Sequence, residues 1–198
     1  FFSLSAHPPY SLPKKYLNNF KAGKLEIHKL IQYSDFSLKT FFNSIKNEKW
    51  FSNTIFVITA DHTSPKSADS KYKNRVGRYS IPMLFYAPAL NIKGVDSTIT
   101  QQIDIMPTLL DLLNYEDDFF AFGESVFNKD GWAIHYNNKR YCLITENGII
   151  NNIDTIYNNY SSWKLKDSIP INNISKNKLK AIKQVYSNTM NNNNLIVK

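Results

Sequence analysis

The chain has 198 residues and a net charge of +8. Its hydrophobic content of 42%, with 14% aromatic residues, is typical of a folded globular protein and excludes an intrinsically disordered one. No apolar run reaches the roughly 18 residues of a membrane span, and a single cysteine, Cys142, excludes an internal disulfide. The basic charge favours anionic partners, but no zinc-finger spacing, RNP-type strand or basic zipper is present, so we expect no nucleic-acid partner.

The first predicted elements are a strand over Phe1–Ser5 and, after a proline-rich loop, a helix over Glu26–Lys46. Because natural chains seldom begin inside a core strand, the opening FFSLS predicts a piece of a longer protein. In the helix, apolar residues recur at helical spacing and predict one continuous buried stripe. Its members are Ile27, Leu30, Ile31, Leu38, Phe41, Phe42 and Ile45.

Two apolar runs after this helix predict strands. TIFVITA, over Thr54–Ala60, lacks clean alternation, which is typical of a strand covered on both faces in a parallel sheet. IPMLFYAP, over Ile81–Pro88, is a second apolar run bounded by prolines. A polar, basic loop joins the two.

A second helix, a meander and a third helix complete the chain. QQIDIMPTLLDLLNY predicts a helix capped by Asp104 with Pro107 in its first turn. GWAIHYNNKRYCLITENGIINNI alternates between turn sequences and predicts an antiparallel meander, with His135 on its surface. SKNKLKAIKQVYSNTM predicts an amphipathic helix capped by Ser175, followed by a loose tail.

These elements predict an α/β fold with a mostly parallel sheet between helices, a small antiparallel β-meander and a terminal helix. We expect residues 1–127 to belong to the main α/β layer. Residues 128–198 are expected to form the meander and the terminal helix, in the same domain or as a small subdomain.

An acid and an imidazole, Asp61 and His62, follow the buried strand TIFVITA directly. In parallel α/β sheets, ligand sites collect beyond the carboxyl ends of the strands, and His7 follows the other predicted strand. Carboxylate oxygen and imidazole nitrogen suit Zn²⁺, Mn²⁺ or a similar divalent ion. The alternative is that Asp61 caps a turn and His62 is a surface loop residue; the two interpretations are evenly balanced at this point.

Five segments resemble the alkaline phosphatase/sulfatase superfamily. TIFVITADHTS is similar to its strand with a metal-binding Asp-His pair, and LSAHPPYSLP resembles the Ser-x-His-x-Pro-[Phe/Tyr] segment of the lipoteichoic acid synthase branch, which transfers phosphoglycerol. IQYSDFSLKTFF resembles the helix that precedes the metal strand. QQIDIMPTLLDLL and FGESVF resemble the late Asp-x-x-Pro-Thr-Leu-Leu helix and the Phe-Gly-x-Ser segment that follows it. All five occur in the same order as in that superfamily, over the first two-thirds of the chain.

The resemblance implies a metal-dependent enzyme that transfers or hydrolyses phosphate or sulfate esters. It implies that Asp61 and His62 bind the metal, with Mn²⁺ or Zn²⁺ favoured and Ca²⁺ or Mg²⁺ possible, and that His7 contacts the substrate phosphate. It also implies that residues 1–127 are the carboxy-terminal part of a sulfatase-like catalytic domain, with the nucleophile and a further acidic ligand on a preceding segment. Close relatives are anchored in the bacterial cell membrane with the catalytic domain outside, so we expect membrane association through that segment and an extracytoplasmic location.

The loop after the metal pair carries Lys66, Lys71, Lys73, Arg75 and Arg78. It is either a solvated basic loop or a rim that attracts an anionic phospholipid or cell-envelope polymer headgroup. Arg75 and Arg78 are the candidate substrate-binding residues of such a rim, because guanidinium binds phosphate through two hydrogen bonds. Two alternatives to the enzyme stay open: a non-catalytic module that binds anionic polymer, and a structural piece without metal.

Overall fold

The computed structural model describes residues 1–127 and 130–195. The chain divides into two compact units, residues 1–94 and residues 95–198. This division falls within the predicted sulfatase-like part, residues 1–127, and places the second helix in the same unit as the meander. Assignment of the catalytic part to residues 1–127 stays a prediction, and its predicted boundary at Asn128 lies outside the described residues.

The first unit contains one long helix and a two-stranded sheet. Helix α1 spans Ile27–Ile45, strand β1 spans Phe56–Thr59 and strand β2 spans Met83–Tyr86. Short 3-10 turns lie at Lys14–Tyr16, Phe51–Asn53, Ser70–Tyr72 and Gly77–Tyr79. The predicted helix and the two predicted strands that follow it are therefore confirmed.

Strands β1 and β2 pair antiparallel, with Phe56 opposite Tyr86 and Thr59 opposite Met83. The prediction of a mostly parallel sheet is therefore wrong for these two strands. A parallel pair needs a crossover connection, usually a helix, whereas the chain between β1 and β2 forms 3-10 turns and leads the second strand back beside the first. Strand β1, which was predicted to be covered on both faces, is half-buried from Phe56 to Ile58 and exposed at Thr59, so that prediction is wrong as well.

Two further predictions for the first unit are wrong. Phe1–Ser5 forms no strand, and its large side chains are exposed; no neighbouring strand among the described residues offers it backbone hydrogen bonds. The stripe of α1 is buried only at Ile27, Leu30 and Ile45, and the remainder of it is half-buried or exposed. Helical spacing places these residues on one side of the helix, but burial also requires a partner for that side.

Aromatic rings join α1 to the sheet. Phe42 lies 5.1 Å from Phe56 and 5.7 Å from Tyr86, measured between ring centroids. Phe51, just before β1, adds its ring at 5.6 Å from Phe56. Such tilted and edge-on pairs contribute about 0.5–1.5 kcal/mol each beyond the area they bury. This cluster holds β1, and therefore the loop that follows it, in place.

The second unit contains helix α2, Ile105–Leu112, a five-stranded antiparallel sheet and helix α3, Asn173–Asn191. The strands are paired in chain order: β3 Trp132–Asn137, β4 Arg140–Thr145, β5 Gly148–Ile153, β6 Ile156–Tyr160 and β7 Ser168–Ile169. The predicted meander and terminal helix are confirmed. Leu179 of α3 packs on Trp132, Leu143 and Ile150 to form the core.

Three details of the second unit differ from prediction. The cap of α3 is Asn172, whose side chain accepts from the backbone N–H groups of Ile174 and Ser175, so Ser175 is not the cap. The ring nitrogens of His135 are buried, so it is not a surface residue. Helix α3 continues to Asn191, into the segment predicted to be loose.

Within the described residues, no helix is both long and apolar enough to cross a membrane.

The QQIDIMPTLLDLL and FGESVF segments are hydrogen-bonded to each other in this unit. Asp104, at the start of α2, accepts from the backbone N–H of Gln101 at 2.8 Å and of Glu124 at 3.1 Å. Thr108 donates to the Asp104 carbonyl at 2.6 Å and accepts from the N–H of Val126 at 3.0 Å. A Cβ atom on Gly123 would lie 2.3 Å from the carbonyl oxygen of Ile103, so only glycine permits this approach. Both motifs therefore have a structural role here.

Candidate functional site

All five residues predicted to bind metal or substrate lie in the first unit. Asp61 and His62 occupy the loop that begins just after β1 ends at Thr59. Arg75 and Arg78 lie on the connection between β1 and β2, and His7 lies in a turn near the start of the chain. All five are exposed to solvent.

The loop holds Asp61 and His62 in a fixed arrangement through local hydrogen bonds. Oδ1 of Asp61 accepts from the backbone N–H of His62 at 2.8 Å. Nδ1 of His62 lies 2.8 Å from the carbonyl oxygen of Thr63. Because a carbonyl can only accept, the proton of a neutral His62 ring is on Nδ1, and Nε2 carries the lone pair. That Nε2 atom faces Oδ2 of Asp61 at 3.4 Å.

The separation of these two atoms suits a shared cation. Two ligands of a tetrahedral ion, each about 2.1 Å from it, lie roughly 3.4 Å from each other. In metal sites the second ring nitrogen of a histidine commonly donates to a carbonyl, as Nδ1 of His62 does to Thr63. The pair is about half exposed, with side-chain accessibilities of 66% for His62 and 51% for Asp61, which leaves it accessible to an ion and a substrate.

Two donors do not complete a metal site. Within residues 1–127 and 130–195, no cluster of three or more His, Cys, Asp and Glu side chains could hold an ion. Structural metal sites use four protein ligands, and catalytic zinc sites use three. Asp61 and His62 therefore fit at most part of a coordination sphere.

The turn that contains His7 is connected to the metal-pair loop by Lys66. The Lys66 ammonium group lies 5.1 Å from the centroid of the Tyr10 ring and 3.7 Å from a carboxylate oxygen of Glu26. The Tyr10 backbone N–H donates to the His7 carbonyl at 3.0 Å, so both residues belong to one turn. A common site for His7 and the pair stays a prediction. The prediction was based on His7 following a strand, and Phe1–Ser5 is not a strand. The contact between Lys66 and Tyr10 supports the prediction instead.

The basic segment is also connected to the loop. The hydroxyl of Thr63 donates to the carbonyl oxygen of Arg78. Asn74 closes the segment by accepting from the N–H groups of Val76 and Gly77, each at 2.8 Å. The guanidinium of Arg78 lies over the Tyr79 ring at 5.8 Å, and Arg75 is exposed.

Thr63 is not among the residues predicted from the sequence, although it contacts both His62 and Arg78. No pattern in the sequence indicates these contacts, because one contact is made by a backbone carbonyl and the other by a partner fifteen residues away. An apolar pocket of about 290 Å³ was missed as well. It is lined by Ile103, Met106, Phe120, Ala121, Phe122 and Leu195, none of which can act as an acid or a base.

Two known proteins are similar to this chain. Lipoteichoic acid synthase 1 of Bacillus subtilis is 27% identical over 146 residues, which cover 65% of this chain and 22% of that protein. A crystal structure of a protein in the alkaline phosphatase superfamily from Vibrio parahaemolyticus matches with a TM-score of 0.79 and 21% identity. That match covers 98% of this chain and 49% of the other, so this chain spans half or less of the relatives it matches.

The structural match shows that the chain has an alkaline phosphatase-type α/β fold. The family model for sulfatases matches residues 1–115, which include His7, the Asp61–His62 pair and both arginines. Families of this type hydrolyse or transfer phosphate and sulfate esters and typically use divalent metal ions. The chain belongs to the sulfatase family.

Proposed function

We propose that the protein is a metal-dependent enzyme that transfers or hydrolyses a phosphoglycerol-type ester, with sulfate esters as the alternative substrate class. The observation that carries the proposal is the 3.4 Å separation of Oδ2 of Asp61 and Nε2 of His62 in the loop after β1. These residues would hold a divalent ion, with Mn²⁺ or Zn²⁺ the best match to one carboxylate and one imidazole. When bound, such an ion would activate a hydroxyl and neutralise charge on the phosphoryl group.

His7 would contact a phosphoryl oxygen of the substrate. Its Nδ1 atom lies 2.9 Å from the carbonyl oxygen of Pro8, so Nδ1 carries a proton and Nε2 is the atom available to a ligand. Nε2 donates only when the ring is an imidazolium, which would bring a positive charge together with the hydrogen bond. A charge-assisted bond of this kind is about twice as strong as a neutral one.

Arg75 and Arg78 would bind the anionic headgroup at the rim of the site. Both are exposed, and the Thr63–Arg78 hydrogen bond ties their segment to the metal pair. Guanidinium groups match the geometry of phosphate oxygens, and exposed Lys66, Lys71 and Lys73 add to the positive field around them. The headgroup would belong to an anionic phospholipid or a cell-envelope polymer. The likeness to a protein named lipoteichoic acid synthase supports this class.

The attacking hydroxyl and the other metal ligands would come from a part of the protein outside these 198 residues. The ligand count of the pair supports this, since two donors do not complete a site and the described residues contain no cluster of three or more that could. We propose in addition that the same part associates the protein with the membrane and that the site works at the extracytoplasmic face.

Three variants of the complete protein test the proposal, with Mn²⁺ content and turnover of a phosphoglycerol lipid measured together. Asp61→Asn and His62→Ala should each lose the metal and all measurable turnover, because the loss of one ligand from a small set releases the ion. His7→Ala should keep its metal and lose turnover by about 10²–10³-fold, the cost of one donor to a developing oxyanion.

His28→Ala, a histidine on α1, is the matched control and should leave both measurements near wild type. Full Mn²⁺ occupancy in both pair variants would contradict the proposal. Faster turnover of a sulfate ester than of the phosphoglycerol lipid would assign the alternative substrate class. Binding of anionic polymer without any turnover would identify a non-catalytic module.

A further inference from the structure

The hydrogen bonds of Thr63 suggest a role beyond those of the predicted site residues. Its carbonyl oxygen meets Nδ1 of His62 at 2.8 Å, and its hydroxyl donates to the carbonyl of Arg78. Thr63 therefore touches a proposed metal ligand with its backbone while its side chain is fixed to a second segment. It is half-buried, in contrast to the exposed residues on its amino-terminal side.

The partner of the Thr63 hydroxyl belongs to a firmly bonded turn. The N–H of Arg78 donates to the Asn74 carbonyl at 3.2 Å, and the N–H of Ser80 donates to the Gly77 carbonyl at 3.0 Å. Gly77 packs so closely on the preceding 3-10 turn, Ser70–Tyr72, that a Cβ atom would lie 1.8 Å from the Lys71 carbonyl oxygen. The Arg78 carbonyl is thus a fixed point to which the loop is attached.

We propose that Thr63 is a positioning residue for the metal pair. By donating its hydroxyl to Arg78, it keeps its own carbonyl against Nδ1 of His62, which places the ring proton on Nδ1 and turns Nε2 toward Oδ2 of Asp61. Without the hydroxyl, the Thr63 peptide can rotate, and the ring can adopt the other tautomer, in which Nε2 carries the proton and cannot bind a metal. This inference rests on the proposed metal-binding role of the pair.

The test compares Thr63→Val, which removes the hydroxyl at nearly constant shape, with Thr63→Ser, which keeps it. Mn²⁺ affinity is measured by titration of the complete protein, and the tautomer of His62 is read from its imidazole ¹⁵N chemical shifts in the metal-free protein. Thr63→Val should bind Mn²⁺ about 10–100-fold more weakly, as is usual when a group behind a metal ligand is lost. It should also show the Nε2–H tautomer. Thr63→Ser should restore both properties.

Thr59→Val is the matched control. The Thr59 hydroxyl donates to the carbonyl of Pro82 at 2.8 Å, so it too ties the β1 side of the connection to the β2 side, but its hydrogen-bond partners are Pro82 and Ala60 rather than His62. If Thr63 had a merely structural role, Thr63→Val and Thr59→Val would have equal effects on the Mn²⁺ affinity and on the His62 tautomer. We expect Thr59→Val to lower stability and to leave the His62 tautomer and the Mn²⁺ affinity of the folded protein unchanged.

Thr63→Ala serves as a second hydroxyl deletion if the valine variant does not fold. Wild-type Mn²⁺ affinity in a folded hydroxyl-deletion variant overturns the inference. Asp61→Asn is measured alongside, because an undiminished Mn²⁺ affinity in that variant would overturn the proposed function itself. The two failures are therefore distinguishable: the first leaves the Asp61–His62 site intact, whereas the second removes it.

Discussion

At the scale of single residues, two aspartates beside apolar runs have different environments: Asp61 follows one and Asp104 precedes one. Asp61 is exposed, its Oδ1 accepts one backbone hydrogen bond and its Oδ2 faces an imidazole. Asp104 is buried, and each of its carboxylate oxygens accepts from a backbone N–H. The first lies at the solvent-exposed candidate site, whereas the second joins the start of α2 to the Phe-Gly-Glu-Ser segment. Burial and hydrogen-bond partners, rather than residue type, separate a candidate ligand from a structural residue.

Burial also raises the pKa of Asp104 above its ordinary value of 3.8. The two backbone N–H groups act in the opposite direction, and the nearby Glu124 carboxylate adds to the increase. A carboxyl whose pKa is higher in the folded state contributes stability that is present below the unfolded-state pKa. That contribution is lost as the pH rises through the folded-state pKa, because the charge must then be buried.

We predict that Asp104→Asn destabilises the chain, because its amide nitrogen would face a backbone N–H in place of an acceptor, at a cost of about 1–3 kcal/mol. The stability gap between wild type and this variant should narrow as the pH rises from about 4 to about 7. Urea unfolding at several pH values measures the gap. Asp117→Asn, in the exposed loop after α2, controls for the lost charge. A gap that widens with pH would show that the hydrogen bonds outweigh burial.

At the scale of elements, the meander and α3 show which signals act locally. Asn138 and Lys139 both have positive φ, of 50° and 59°, and form the tight turn between β3 and β4 that the Asn-Asn-Lys sequence predicts. Helix α3 begins at Asn172 because that side chain accepts from the N–H groups of Ile174 and Ser175 at 2.9 and 3.3 Å. Both signals operate within four residues along the chain, yet Ser175 was an equally valid candidate cap.

We predict that Asn172→Ala lowers the free energy of unfolding by about 1 kcal/mol, because two backbone N–H groups lose their acceptor. Asn177→Ala, at an exposed position inside α3, should be neutral or slightly stabilising, since alanine has the higher helix propensity. Thermal or urea unfolding followed by circular dichroism compares the two variants. Equal effects at both positions would mean that Asn172 does not cap the helix in solution.

At the scale of the whole molecule, the net charge of +8 favours association with anionic surfaces. If Arg75 and Arg78 form a specific binding rim, substituting them should weaken binding more than substituting other basic residues. If the whole chain is attracted by its net charge, the position of the substitution should not matter. Both are weakened by salt, since the Debye length falls to about 8 Å at physiological ionic strength. Salt dependence alone therefore does not distinguish them.

We predict that the chain binds phosphatidylglycerol vesicles and not phosphatidylcholine vesicles. Arg75→Gln combined with Arg78→Gln should weaken this binding by up to about thirty-fold, since each basic residue at the surface contributes about 1 kcal/mol. Lys166→Gln combined with Lys180→Gln removes the same charge from other exposed positions and should have a smaller effect. Co-sedimentation with vesicles measures both. Equal losses from the two double variants would mean that the attraction is general.

The sequence by itself determined the elements whose signals are local. Helical spacing predicted α1 and α2, apolar runs predicted β1 and β2, and turn residues with alternation predicted the meander. Spacings of three and four along a helix, and of two along a strand, are properties of the backbone and need no distant partner. The Asp61–His62 pair could also be identified from the sequence, because it comes immediately after a predicted strand and resembles a known motif.

Only the tertiary structure decided features that depend on distant parts of the chain. The antiparallel pairing of β1 and β2 depends on the path of the connection between them, and the exposure of half of α1 depends on what packs against it. The contact between Tyr10 and Lys66 and the bond from Thr63 to Arg78 join residues 56 and 15 positions apart. Hydrogen bonds and packing contacts of this kind form wherever the fold brings two groups together, so a local sequence pattern does not predict them.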